Sequence, residues 1–442
     1  MKKQISNYID LYKNEMISQL SELVAIPSES DNQKELSTAI DFILKLSDHL
    51  GLSAQTYCEK QVVVVEIGSG DETLGILSHL DVVPAGDLSL WDTPPYEAVI
   101  KDGKIFGRGT LDDKGMIIAS LYAMKAVLGL GMPLYKKVQL VLGTQEEVEW
   151  TDMDAYVANH KLPNYGFSPD GEYPICNIEK GCIDYTLEFD IADSCDEIHI
   201  TSIMCGEALN SVPGKATATL SDRTKIVALG KPVHSCQPER GDNALFNLYN
   251  KLASMEVAEN KLMKLLKEIA DKFSTVYGKE LGLYSESEYY QGEYVHRNAF
   301  SPTIFNAQDG KAMLNINCRF PYGESEDRLL EGIKEFAAQN GGSVMDVYAM
   351  PAVFVSKEKP FLKICEKAYE NVTGLKNEYT LAYGGSYAKA MPNIVSWGPI
   401  FPGEEDTCHE ANEYISIDSL LKNTEIFANV IADITLSSES FK

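Results

Sequence analysis

The sequence predicts an α/β domain interrupted by an inserted α+β domain. Three observations carry this. Helical and strand-like apolar patterns alternate through the first part of the chain. The pattern becomes strand-rich after Lys180-Gly181, and helical segments of the earlier style resume beyond about residue 357. The expected boundaries are therefore 1–179 for the first part of the α/β domain, 180–356 for the insertion and 357–442 for the second part. A length of 442 residues also exceeds what a single core usually holds.

In chain order, Ile5, Ile9, Met16, Leu20 and Leu23 fall at helical spacing, and residues 36–50 repeat the pattern. Each helix precedes an expected strand, at 54–57 or 62–67. A strand over 74–83, a helix over 114–128 and a strand over 138–142 follow. In the insertion, strand-like runs at 183–191, 197–204, 225–229 and 312–318 surround one long helical stretch over 243–273, and Asp309-Gly310 signals a hairpin. Helices over 360–372 and 417–434 close the chain.

Composition excludes several classes of function. With 39 Lys plus Arg against 65 Asp plus Glu, the net charge of −26 opposes nucleic acid and anionic lipid. The first helix carries Asp10, Lys13 and Glu15 among its apolar positions, so no signal core is expected there, and no apolar run is long enough for a membrane span. Nine cysteines without a CxxC pair fit free thiols in a reducing compartment. The expectation is a cytoplasmic protein whose partners are small or cationic.

The chemistry-bearing residues sit where apolar runs end. The segment SHLDVVPAG (78–86) places His79 and Asp81 on one side of an extended chain, either as a ligand unit or as a solvated strand end. GRGTLDDKG (107–115) sets Asp112 and Asp113 before a helix, where Asp113 suits an N-cap and Asp112 is left for another task. GTQEE (143–147) puts Glu146 and Glu147 at a strand exit, facing opposite ways, so that one could bind a metal and the other activate water. SPDGEYP (168–174) places Asp170 in turn chemistry, and GEEDTCHEANE (403–413) places His409 in a polar loop. Alone, each has an ordinary structural reading. Together, two imidazoles and three carboxylates match what two divalent cations sharing a bridging carboxylate require.

These motifs, with LVAIPS (23–28), resemble the M20 metallopeptidases essentially from end to end, and within them the PepV-type bacterial dipeptidases. The resemblance implies a zinc-peptidase-like catalytic domain, a mixed sheet with helices on both faces, carrying an α+β lid domain. It implies two Zn2+ per chain, with Mn2+ or Co2+ also compatible. Asp112 would bridge, His79 and Asp170 would complete one site, and Glu147 and His409 the other. Glu146 would be the general base, and Asp81 would act on metal only by orienting His79. The Asp112–Asp113 peptide is often cis in such enzymes. In the insertion, KPVHS (231–235) matches the lid histidine, so His234 would stabilise the oxyanion. Asn210, Arg319, Gly385 and Ser386 would bind substrate, Arg319 through a substrate carboxylate.

The implied substrate is a dipeptide or short peptide, and the implied state a monomer whose enlarged lid serves its own site. An N-acyl amino acid amidohydrolase of the same fold is the nearest rival, and a catalytically silent metal-binding protein is the rival of another class. The sequence departs from the family pattern at Val148-Glu149-Trp150, where a small residue is usual, and at Ser386 and Lys389, where Thr and Arg are more usual.

Overall fold

The apolar runs at 62–65 and 74–77 lack polar alternation, and both are fully buried, as strands inside a layered sheet must be. The computed structural model describes residues 1–442, which divide into two compact units. One comprises Met1–Asn177, Phe354–Thr380 and Ser386–Lys442; the other comprises Ile178–Val353 with Leu381–Gly385.

In the first unit the sheet runs in the order Ser53–Tyr57, Val62–Gly68, Lys137–Gly143, Thr73–His79, Tyr165–Ser168, Ile394–Ser396. The first two strands are antiparallel to their neighbours, and the last four are mutually parallel. The sheet is thus mixed, and helices cover both its faces. Lys114–Leu128, apolar on nearly every side, is buried between Lys2–Val24, Ile417–Thr435 and the strand Thr73–His79. Asn32 caps Gln33–Leu50 at one end and Gly51 closes it in the left-handed conformation at the other.

Among the parallel strands the spatial order is second, first, third, fourth in chain sequence. The chain therefore leaves Thr73–His79 to one side and returns on the other. Such a reversal opens a crevice beyond the carboxyl ends of the first and third strands. His79 ends the first of these, and Asp170 lies just past the end of the third.

Several expectations change. The segments at 54–57 and 62–67 are both strands, paired antiparallel. The strand expected over 74–83 ends at His79, after which Leu80 N–H donates to the Gly143 carbonyl at 2.8 Å. Glu146 and Glu147 follow the strand that stops at Gly143, but in a turn, so strand alternation does not set their directions. The single helix expected over 243–273 is two, Ala244–Ala253 and Lys261–Phe273, because Asn260 restarts the chain by accepting from Met263 N–H. Asp113 is at the N-cap position of its helix, but its side chain does not cap; it accepts from Ser78 Oγ instead. The Asp112–Asp113 peptide is cis.

The second unit is a seven-stranded antiparallel sheet in the order Lys225–Leu229, Lys215–Leu220, Ile200–Cys205, Ala299–Gln308, Lys311–Phe320, Gly181–Asp190, Gly342–Met350. Leu262, Leu265, Leu266, Ile269 and Phe273 form one buried stripe of their helix and share a core with Leu187, Phe305 and Leu314 of the sheet. Asp309 and Gly310 take positive φ between Gln308 and Lys311, the tight hairpin their residue types signal.

Gly143 is needed at its strand end because a Cβ there would collide with the Tyr387 hydroxyl and the Asp152 carboxylate. Gly143→Ala is expected to destabilise the chain by about 1–3 kcal/mol, the usual cost of overpacking a tight site. A thermal midpoint equal to the wild type would show that the neighbours yield freely.

Candidate metal centre

The carboxyl ends of the parallel strands gather the acids and imidazoles. His79 is completely buried, and its ring is fixed from both sides. Nδ1 lies 2.9 Å from the Asp81 carbonyl and 3.5 Å from the Asp81 carboxylate, while Nε2 lies 2.8 Å from Asp112 Oδ1. Asp81 thus does reach His79, but chiefly through its main-chain oxygen. A proton on Nδ1 leaves Nε2 as the face turned toward the acids.

The Asp81 carboxylate has another task. It accepts from Ser30 Oγ at 2.8 Å and from the main-chain N–H groups of Glu146 and Glu147 at 3.2 and 3.1 Å. It therefore ties the end of one strand to the turn that follows the next. Asp152 holds the same turn from the other side, accepting from Thr144 N–H at 2.6 Å, Gln145 N–H at 3.2 Å and the Tyr387 hydroxyl at 2.9 Å.

Asp112 has its own scaffold in Glu413. That buried carboxylate accepts from Arg108 Nη1 at 2.7 Å and from the N–H groups of Gly109, Leu111 and Asp112 at 2.9, 2.9 and 3.1 Å. Because Glu413 is four residues beyond His409, one side chain fixes the loop of Asp112 and anchors the loop of His409. The outcome is that Asp112 Oδ2 stands 3.1 Å from His409 Nε2, which is also 3.1 Å from Glu147 Oε2. Donor atoms of His79, Glu146 and Asp170 lie within 4.8 Å of one another, as do those of His79, Asp112 and Glu147.

These residues fit divalent cations. Two ligands of one tetrahedral ion, each at 2.0–2.1 Å, stand about 3.4 Å apart, close to the separations seen here. One oxygen of Glu147, Oε1, is buried without a hydrogen-bond partner, a costly state for a carboxylate unless a cation completes it. Charge is unbalanced as well. Asp81, Asp112, Asp113, Glu146, Glu147, Asp170 and Glu413 crowd one region, whereas Arg108 is engaged by Glu413 and Lys114 Nζ by the Ile26 carbonyl at 2.7 Å.

Titration follows from that imbalance. Burial, then the neighbouring Asp112 charge, pushes Asp170 up to about 8. Burial also raises Glu146, with Asp170 adding to it, and Glu147, with Asp112 adding to it. Hydrogen bonds donated to Asp112 and Glu147 raise His409 to about 11. For His79 burial acts downward, but Asp112 and Asp81 outweigh it and raise the imidazole. Burial acts upward on Asp112, but His409 and His79 outweigh it and keep that carboxylate ionised. Protons occupy the places where positive charge is wanted.

The remaining expected residues fall in the second unit, except Ser386, which caps the turn Tyr387–Lys389 in the first. The loop of Asn210 is zipped to that of His234: Ser235 N–H donates to the Asn210 carbonyl at 2.8 Å and Val212 N–H to the Val233 carbonyl at 2.9 Å. His234 Nδ1 accepts from Cys236 N–H at 3.2 Å, which leaves the ring proton on Nε2. Arg319 is buried, donating through Nε to Asn317 Oδ1 at 3.2 Å and through Nη1 to the Tyr383 carbonyl at 3.1 Å, two residues before Gly385. Asp152, Tyr387, Ser30 and Glu413 were not singled out from sequence. Only Glu413 carried a signal, as the last acid of the His409 loop.

A family model for peptidase family M20/M25/M40 matches residues 75–433. The chain is 32% identical over 402 residues to "Putative dipeptidase YtjP" of Bacillus subtilis, covering 84% of each protein. Among solved structures it resembles the dipeptidase Dug1p of Saccharomyces cerevisiae, with TM-score 0.64, 15% identity and 99% of both chains covered. It also resembles the Bacillus subtilis YXEP protein, described as a dinuclear metal binding peptidase, with TM-score 0.58, 11% identity and coverage of 96% and 99%. These two structural likenesses speak for the fold. The matched span runs from the strand of His79 into the helix beyond His409 and contains His79, Asp112, Glu146, Glu147, Asp170 and His409, and the chain belongs to peptidase family M20/M25/M40.

Proposed function

We propose that this peptidase is a metal-dependent exopeptidase that hydrolyses dipeptides or short peptides, with Glu146 as its general base. The observation that carries this reading is Asp112, whose two carboxylate oxygens face two different histidines, His79 and His409. Asp112 would be shared between two cation sites, His79 and Asp170 completing one and Glu147 and His409 the other. The mixed imidazole and carboxylate set would suit Zn2+, and also Mn2+ or Co2+, and such ions would supply carbonyl polarisation and a more acidic water.

Glu146 takes a proton from the attacking water on a carboxylate oxygen and returns it to the leaving amine. Its raised affinity for protons, caused first by burial, suits that exchange. Asp81 keeps His79 in one tautomer. His234 donates from Nε2–H to the developing oxyanion; burial and then the Arg319 charge keep the imidazole neutral at physiological pH, and its Nδ1 is already engaged. Arg319, Asn210, Gly385 and Ser386 hold the substrate, Arg319 by its carboxylate.

Nine cysteines without a CxxC pair support a reducing, cytoplasmic setting. No helix is long and apolar enough to cross a membrane. We take the chain to act as a monomer, and a sedimentation mass of two chains at assay concentrations would refute that.

Glu146→Gln is expected to lower kcat by about 10²–10⁴-fold while bound metal persists, since a glutamine keeps the shape but cannot accept the proton. A variant as active as the wild type removes Glu146 as the base. In the same assays dipeptides should turn over faster than N-acetyl amino acids, and the reverse order would point to a deacylase.

Metal uptake should release protons. His409, raised to about 11, and Asp170, raised to about 8, both hold protons in the metal-free chain at pH 7, so a cation must displace them and apparent affinity should climb with pH. Calorimetric titration in buffers of different ionisation enthalpy measures this. Zinc binding without proton release at pH 7 would contradict the ligand assignment.

A further inference from the structure

The departure at Val148-Glu149-Trp150 has a structural counterpart. Trp150 occupies the left-handed region, with φ 54° and ψ 26°, immediately before the helix Thr151–Asn159. Glycine adopts that conformation without strain, and a bulky side chain seldom does. The strain persists because the indole is held on two sides. Its Nε1–H donates to the Glu146 carbonyl at 2.6 Å, and its ring meets Tyr387 edge-on, with centroids 5.3 Å apart. Tyr387 is completely buried and donates in turn to Asp152, which accepts from Thr144 and Gln145 N–H.

Glu146 is thereby gripped through both of its peptide groups. Its N–H is held by Asp81 and its carbonyl by Trp150, so the direction of its Cα–Cβ bond is set from outside the turn. Neither bond engages the carboxylate itself. We infer that Trp150 is a positioning residue for Glu146, fixing the aim of that carboxylate through the carbonyl of the same residue. The inference rests on Glu146 being the general base. A base held by main-chain contacts keeps its side-chain oxygens open to water and pays no reorganisation when the proton moves.

The test is Trp150→Phe, which keeps a ring against Tyr387 while removing the N–H donor and one of the two fused rings, assayed beside Glu146→Gln. The expected result is a kcat lowered about 10–100-fold, the scale on which small misplacements of a reacting group act. KM should stay within about twofold, with metal content and thermal midpoint as in the wild type. Trp150→His, which restores a ring N–H, should recover part of the lost kcat; a merely structural role predicts no such rescue. Wild-type kcat in Trp150→Phe while Glu146→Gln is inactive overturns the role of Trp150 and leaves Glu146 standing as base. Loss of metal or of thermal stability in parallel with kcat also overturns it. Full activity in Glu146→Gln removes the base and this inference with it.

Discussion

Repulsion among buried carboxylates is the constraint on which the carboxyl edge of the parallel sheet depends. Like charges this close cannot all be ionised in a protein interior unless positive charge or donors meet them. The chain answers in two ways. Asp81, Asp152 and Glu413 are saturated by main-chain N–H groups, hydroxyls and Arg108, and each fixes a loop. Asp112, Glu147, Asp170 and the imidazoles beside them are turned toward one another. The first group builds the frame, and the second is what the frame presents.

Much of this was legible in the sequence for a physical reason. In parallel strands buried on both faces, a polar residue has nowhere to sit but the end, so the apolar run before His79 marked both the strand and the site. The helix of Lys114 and the hairpin at Asp309-Gly310 were equally plain, one from its apolar length and one from its turn chemistry. Sheet order was not legible. That Lys137–Gly143 lies between Val62–Gly68 and Thr73–His79 follows from packing across long separations, which no local pattern records. The break between Ala253 and Lys261 has one local signal, the cap at Asn260, at the end of a short non-helical stretch.

The supporting acids were the hardest to see. Among 65 acidic residues, nothing local separates Asp152 from a solvated surface charge, and Glu413 is marked only by its place in the His409 loop. Many of their partners are main-chain N–H groups of turns, which have no sequence signature at all. For Glu146 and Glu147 strand alternation was the wrong guide to their directions, because the pair lies in a turn beyond the strand. Glycine is required at Gly143 because the Tyr387 hydroxyl and Asp152 occupy the space a side chain would need, and Tyr387 lies far downstream.

The position of the strand Ile394–Ser396 carries a consequence for how the molecule comes into being. It pairs with Tyr165–Ser168, yet the whole of the second unit is encoded between them. During synthesis the first 177 residues are made with one parallel strand missing and with neither His409 nor Glu413 to hold the loop of Asp112. That edge must wait through the synthesis of the inserted unit. Domains of continuous sequence can finish folding in the order they are made, but here the earliest-made part is the last to be completed. The sheet edge that carries His79 is therefore finished only once Ile394–Ser396, His409 and Glu413 have been made.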